Sequence, residues 1–170
     1  MAETLRLFIG LWPDDATRRA LVAWQRRWVW PAGAAPVPPE RLHLTLHFLG
    51  QVAAARLPEL APMLDLPFEP FELRLGHAEL WPRGLAVLCP DQIPDDLAQL
   101  HAALAAALRR LTLPVEARPF RPHVTLARMA AAATPPADAP ALRWQVGGHA
   151  LVQSEQGYTT LVHYPLAARG

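Results

Sequence analysis

Two short stretches of the chain carry the same pair of chemically useful side chains. One is His43-Leu44-Thr45-Leu46, and the other, 80 residues later, is His123-Val124-Thr125-Leu126. Imidazoles titrate with a pKa of about 6.5, so two of them can divide proton donation and acceptance near neutral pH. A threonine hydroxyl can donate a hydrogen bond to an anionic oxygen. One such triplet is weak evidence, but two copies in separate halves of the chain indicate an acid–base site.

The spacing within each motif suits a β-strand, where residues two apart point to the same face with Cα atoms about 7 Å apart. Residues 41–50 alternate, with leucines and Phe48 on one face and with His43, Thr45 and His47 on the other. If the two motif strands face each other across a cleft, the imidazoles and hydroxyls surround a space of phosphate size. The hydroxyls would then contact non-bridging oxygens while the imidazoles transfer protons.

The elements that position the motifs follow from the apolar pattern and from the proline-rich breaks. We expect helices over residues 16–30 and 93–111, because each follows a Pro-Asp-Asp start signal. We expect strands over residues 5–11, 41–50, 68–80, 84–89, 120–128, 142–154 and 158–164. The second half loosely repeats the first. The order predicts an α+β fold in which residues 1–170 form a single domain of two similar, pseudo-symmetric lobes, with antiparallel sheets and flanking helices around a central cleft.

Composition excludes several other kinds of chemistry. All 16 basic residues are arginines, which excludes a lysyl intermediate. Cys89 is the only cysteine, so an intramolecular disulfide and a multi-cysteine metal site are excluded, and its apolar neighbours predict a buried side chain. Ser154 is the only serine and lacks the flanking glycines of a hydrolase elbow. No stretch approaches the ~20 apolar residues of a membrane span, and no signal-peptide pattern is present, so we expect a cytoplasmic protein.

Arginines near the second motif are candidate phosphate ligands. Arg128 ends the motif strand, although regular alternation places it on the face opposite His123; Arg121 and Arg118 are further candidates. His47 lies about 13 Å along the strand from His43, too far to share a metal ion, so it should line the cleft or the surface. The remaining histidines have no motif around them and should be structural: His77, His101, His149 and His163.

Aromatic residues beside the motifs are candidates for stacking on a nucleobase. Phe48 and Phe120 flank the motifs, but Phe48 shares the leucine face, which favours the core. The six tryptophans, three of them in residues 24–30, suit helix packing better than a platform for RNA.

The paired motifs resemble those of the 2H phosphoesterases. The stretches LRLFIGLWP, RLHLTLHFLG, FRPHVTLAR and LVQSEQGYTTLVHYPL are similar to the bacterial RNA 2′,3′-cyclic phosphodiesterases, long labelled 2′-5′ RNA ligases. The resemblance implies a bilobal fold, no cofactor, no metal, and hydrolysis of a 2′,3′-cyclic phosphate to a 2′-phosphomonoester. It also implies that His43 is the proton donor, that His123 is the acceptor and that Thr45 and Thr125 are the motif threonines. The partners would be RNA ends or small nucleotides bearing a 2′,3′-cyclic phosphate. We expect the protein to be a monomer that does not bind a membrane.

Two alternative functions stay open. The first is the reverse reaction, which joins RNA ends through a 2′-5′ linkage; without lysine it would have to use the energy of the cyclic phosphate, in competition with water. The second is a non-catalytic RNA-binding protein with a relict site, which the intact motifs and the net charge of +1 disfavour.

Overall fold

The computed structural model describes residues 2–165 of the chain. Within them the helices are α1 (Asp15–Gln25), α2 (Leu57–Met63) and α3 (Asp95–Arg110). The strands are β1 (Thr4–Leu11), β2 (Ala35–Pro36), β3 (Leu44–Ala53), β4 (Phe71–Trp81), β5 (Leu85–Pro90), β6 (Val124–Arg128), β7 (Leu142–Val146), β8 (Gly148–Gln153) and β9 (Thr159–Pro165). None of the helices in this range is long and apolar enough to cross a membrane.

The strands form one curled antiparallel sheet in the order β7-β4-β5-β6-β3-β1-β8-β9, with β2 alongside β6. At its middle, β3 and β6 pair only through Leu44 and Val124. This seam divides the sheet into half-sheet A (β1, β3, β8 and β9) and half-sheet B (β4, β5, β6 and β7). The predicted α+β fold, with antiparallel halves meeting at a central cleft, is confirmed.

Helix α3 shows how the sequence forms the core. Leucines spaced three or four residues apart are buried on one face of the helix, while acidic residues occupy its first turn and arginines its last, as the helix dipole favours. Helix α3 packs on β3 of half-sheet A, although it follows β5 of half-sheet B. Helix α1 follows β1 of half-sheet A and packs on β7 of half-sheet B. Each helix therefore ties one half-sheet to the other.

The helix predicted for residues 16–30 is too long, because α1 ends at Gln25. Beyond its end, Val29 forms an isolated bridge with Thr134 through backbone hydrogen bonds of 2.9 and 3.0 Å. The bridge requires extended backbone, and Pro31 disfavours helix in the residue that precedes it. Trp28 and Trp30 instead stack on each other outside the helix, with ring centroids 5.0 Å apart.

The single strand predicted for residues 142–154 is also wrong. The chain divides at Gly147 into β7, which pairs with β4, and β8, which pairs with β1 in the other half-sheet. Gly148 then passes so close to β9 that an added Cβ would lie 2.6 Å from the carbonyl oxygen of Tyr164. Helix α2 was not identified from the sequence, since its two prolines look like helix breaks; one of them occupies the first turn, where the missing N–H costs nothing.

Candidate active site

The seam between the half-sheets brings the two motifs together. Because Leu44 pairs with Val124 in antiparallel register, the residues beside this pair place His43 across from Thr125 and Thr45 across from His123. All four side chains line one cleft with a volume of about 700 Å³. The leucine and valine between them point the other way and are fully buried. The motif strands are therefore neighbours in the sheet, with the cleft above them.

Both imidazoles are held in the same way. Nδ1 of His43 lies 2.7 Å from the carbonyl oxygen of Arg41, and Nδ1 of His123 lies 2.7 Å from that of Arg121. A carbonyl oxygen can only accept, so Nδ1 of each ring carries the proton. Nε2 is then the atom that can gain or lose a proton in the cleft. Nε2 of His43 also lies 3.0 Å from Oγ1 of Thr45, an arrangement that suits either protonation state of the ring.

The surroundings lower the pKa of both motif histidines below the ordinary value. Burial is the main cause in each case, and the nearby Arg128 guanidinium adds to it, whereas the carbonyl hydrogen bond opposes it. Arg121 further lowers the pKa of His123, and His123 lowers that of His43. Both rings are therefore mainly neutral at pH 7 in the empty cleft. A bound phosphate anion would act in the opposite direction and favour a proton on one of them.

A β-bulge at the last residue of each motif changes which side chains reach the cleft. The β1–β3 register skips Leu46, and the β5–β6 register skips Leu126. Alternation inverts after such an extra residue, so Phe48 and Arg128 line the cleft. The expectation that Phe48 belongs to the core is wrong: its side chain is 53% exposed. Regular alternation would place Arg128 on the face opposite His123, but the bulge at Leu126 brings both side chains to the cleft.

His47 is moved by the first bulge to the other side of the sheet. Its side chain is only 4% exposed, so the expectation that it lines the cleft or the surface is wrong. Nε2 of His47 lies 2.9 Å from the carbonyl oxygen of His101 in α3, and the two rings stack at 4.1 Å. Phe120 stacks in turn on His101 at 3.8 Å, so it packs against α3 and does not line the cleft.

The cleft is positively charged although the chain is nearly neutral. Among the described residues that line it are Arg6, Arg41 and Arg128, and no carboxylate. The other arginine candidates lie elsewhere: the Arg121 guanidinium sits over the ring of Trp81, and Arg118 pairs with Glu116 at 3.7 Å. Local positive charge of this kind attracts an anionic substrate.

Several residues of the site were missed from the sequence. Trp12 stacks on His43, and Tyr158, Arg41 and Ser154 line the cleft. The expectation of helix packing for the tryptophans is wrong for Trp12, and Ser154 was assessed only as a nucleophile. The Trp-Pro pair that ends the first strand was the available signal for Trp12, but nothing in the local pattern shows that this turn lies against His43.

The cysteine and the histidines outside the motifs lie away from the cleft. Cys89 is buried, and burial together with Glu79 raises the pKa of its thiol to about 12, which leaves it unreactive as a thiolate. His149 is buried and bonded to the carbonyl oxygen of Leu64 at 2.7 Å, as a structural histidine should be. His77 is exposed and lies 3.3 Å from Glu79. Within residues 2–165, no group of three or more His, Cys, Asp or Glu side chains could hold a metal ion.

The geometry matches a known family of enzymes. A protein-family model described as LigT like Phosphoesterase matches the chain twice, over residues 11–87 and 87–158, and each match contains one motif. The chain belongs to this family. Two adjacent matches to one model agree with the loose internal repeat in the sequence.

Named relatives and solved structures of the same family are also similar to this chain. The chain is 34% identical over 148 residues to an RNA 2′,3′-cyclic phosphodiesterase of Escherichia coli, with 85% of this chain and 82% of that protein covered. It is 35% identical over 164 residues to a protein of the same name from Thermus thermophilus, with 89% and 82% covered. The crystal structure of E. coli LigT complexed with 3′-AMP superimposes with a TM-score of 0.86 at 30% identity, covering 97% of this chain and 99% of that one.

Proposed function

We propose that this protein hydrolyses RNA 2′,3′-cyclic phosphate ends to 2′-phosphomonoesters, with His43 and His123 as its acid–base pair. The observation that carries the proposal is the arrangement of two imidazoles immediately before neighbouring strands, each held through Nδ1 and each presenting Nε2 to the same cleft. The names of the two bacterial relatives supply the substrate class. We further propose that the protein acts as a cytoplasmic monomer without a cofactor.

In the proposed reaction, water attacks phosphorus while the bond from phosphorus to the ribose 3′ oxygen breaks. Neutral His123 takes a proton from the water through Nε2, and protonated His43 gives its Nε2 proton to the departing 3′ oxygen. The phosphate then stays on the 2′ oxygen as a monoester. The two histidines end with exchanged protonation states, which proton exchange with solvent restores. The direction of the roles comes from the family resemblance, since Nδ1 is held identically in both rings.

The other cleft residues support the charge that develops on phosphorus. The hydroxyls of Thr45 and Thr125 can donate to the non-bridging oxygens, and Arg128 can pair with them from the bulge. Each of these groups already lines the cleft where the phosphate would bind. Each proton transfer supplies about 10²–10⁴-fold in rate.

The cleft also offers surfaces for a nucleoside. Phe48 and Tyr158 line it and are 53% and 38% exposed, so each has a face available to a base. The Arg41 guanidinium lies over the Tyr158 ring at 5.8 Å, which adds a cation beside that face. The E. coli LigT structure to which this chain is similar is a complex with 3′-AMP. These observations favour a nucleotide end over a phosphate ester without a base.

Product analysis of an oligonucleotide with a 2′,3′-cyclic phosphate end tests the proposal. We expect a 2′-phosphate and a 3′-hydroxyl, identified by mass and by NMR, with kcat reduced by at least ~10² in His43→Ala and in His123→Ala. His77→Ala is the matched control, because this histidine is exposed and lies outside the cleft. Its kcat should stay near that of the wild type.

Other outcomes would identify the alternatives. A 2′-5′ joined product formed from a second RNA with a free 5′ hydroxyl would indicate end joining. Binding of the oligonucleotide without any turnover would indicate the relict RNA-binding protein. Normal turnover in either motif variant would remove the acid–base assignment, whatever the product.

A further inference from the structure

The two motif histidines differ in their aromatic surroundings, although their backbone contacts are the same. His43 is enclosed by three rings, which we call the aromatic cage: Trp12 at 4.7 Å, Phe8 at 5.1 Å and Tyr158 at 5.2 Å between ring centroids. The indole of Trp12 is parallel to the imidazole, with an interplanar angle of 8°. Its N–H donates to the carbonyl oxygen of Glu40 at 3.3 Å, which fixes the plane of the ring.

Among the described residues, His123 has a ring contact with Trp81 alone, and Trp81 already contacts a cation. The ring of Trp81 lies 4.3 Å from the imidazole at an angle of 57°. The Arg121 guanidinium sits over the same indole, 4.3 Å from its centroid. The indole N–H of Trp81 donates to the Glu79 carboxylate, which also lies 3.9 Å from Arg121. A cation therefore already uses the ring that His123 would need.

Aromatic rings attract cations on their faces, and the attraction is stronger where water is excluded. The parallel stack of Trp12 on His43 therefore favours the imidazolium over the neutral ring. At His123, the positive charge of Arg121 disfavours a second cation. The charged groups nearest His43 are Arg128 and His123, and Arg41 and Arg6 line the same cleft. Those near His123 are Arg128, Arg121 and, through Trp81, Glu79.

We propose that Trp12 is a positioning residue that makes His43 the proton donor, while the Trp81–Arg121 pair keeps His123 free to accept. The inference rests on the proposed function for its catalytic meaning, but the difference between the two rings is a property of the resting protein. It supplies a physical reason for a division of roles that the paired motifs leave undetermined.

Burial of His43 inside the cage acts against the stacking. Enclosure lowers the pKa of this ring, and the indole face recovers part of the loss. A test must therefore remove the indole without admitting water. Trp12→Leu keeps an apolar cover over His43 and removes the aromatic face, and Trp12→Phe keeps a smaller aromatic face.

The test is an NMR titration of the His43 and His123 rings in the folded protein without substrate. Trp12→Leu should lower the pKa of His43 by about half a unit to one and a half units relative to wild type, with His123 unmoved. Trp12→Phe should restore at least half of that shift. Arg121→Gln should raise the pKa of His123 and leave His43 in place.

The kinetic readout separates the two proposals. In Trp12→Leu, the loss of kcat on the cyclic phosphate should be recovered at lower pH, where His43 regains its proton. A His43 pKa in Trp12→Leu that stays at or rises above the values in wild type and Trp12→Phe would overturn the role of Trp12, even if the protein hydrolyses cyclic phosphates normally. The expected pKa shifts in a protein that turns over no cyclic phosphate would uphold the cage and overturn the proposed function.

Discussion

Gln25 holds the bulge that directs Arg128 into the cleft. It is the last residue of α1 and is only 6% exposed. Its side-chain amide donates to the carbonyl oxygen of Leu126, the extra residue of the bulge, at 2.8 Å, and to that of Val37 at 3.0 Å. The substitution Gln25→Leu keeps the volume and the burial of the side chain but removes both donors. We expect it to destabilise the fold and to weaken substrate binding.

The size of the effect follows from the two bonds. Each neutral hydrogen bond contributes about 0.5–1.5 kcal/mol net, so the free energy of unfolding should fall by about 1–3 kcal/mol. The backbone N–H of Val37 also donates to the Leu126 carbonyl at 2.8 Å, so this carbonyl keeps one partner and the loss stays within that range. In a chain of this size, each kcal/mol lowers Tm by about 2–4 °C.

The assay is urea unfolding of Gln25→Leu together with steady-state kinetics. The urea midpoint should fall with an unchanged slope, and KM should rise because Arg128 is less well held. Gln99→Leu makes the same chemical change on the exposed face of α3 and should alter stability by less than about 0.5 kcal/mol. Equal stability of the two variants would refute the role of the Gln25 hydrogen bonds. A Gln25→Leu protein with lower stability and an unchanged KM would refute the part of the reasoning that concerns Arg128.

Four further predictions concern catalysis. The profile of kcat/KM should be bell-shaped with an optimum below about pH 6.5, because both motif pKa values are lowered and one ring must be charged while the other is neutral; a profile that only rises with pH would contradict it. The profile of kcat should have its alkaline limb at higher pH, since the bound anion favours the imidazolium. On a nitrophenyl phosphodiester with its leaving group toward His43, the His43→Ala defect should shrink by orders of magnitude while that of His123→Ala persists; the reverse pattern would exchange their roles. Activity should survive EDTA, and a loss restored by a divalent ion would show that a metal takes part.

The sequence was sufficient for the parts of the site that depend on short-range periodicity. The pairing of an imidazole with a hydroxyl two residues on needs only a strand, and regular alternation put the motif residues on one face, as the structure shows for both motifs. The start of α1 could also be predicted, because Asp14 is a residue type that caps helices; its carboxylate accepts a hydrogen bond from the Thr17 N–H at 2.7 Å.

The parts that failed depend on pairing with distant strands. A bulge is defined by the neighbouring strand, so no pattern within residues 41–50 shows that Leu46 is extra and that alternation inverts beyond it. The errors for His47, Phe48 and Arg128 all have this origin. The stack of Trp12 on His43 likewise depends on β1 lying beside β3, a contact between segments separated by the whole of α1.

The way the chain connects the two half-sheets determines whether they can unfold independently. Half-sheet B is one continuous segment, from β4 to β7, and the chain of half-sheet A is interrupted to accommodate it, which is the topology of an inserted domain. The helices prevent the two from separating as such. An isolated fragment of residues 71–146 would carry α3 without β3, and would expose the buried leucines of that helix to water, while α1 would lose β7 in the remainder. We therefore expect neither fragment to be stable alone, and we expect the protein to unfold as one cooperative unit although β3 and β6 pair through a single residue pair.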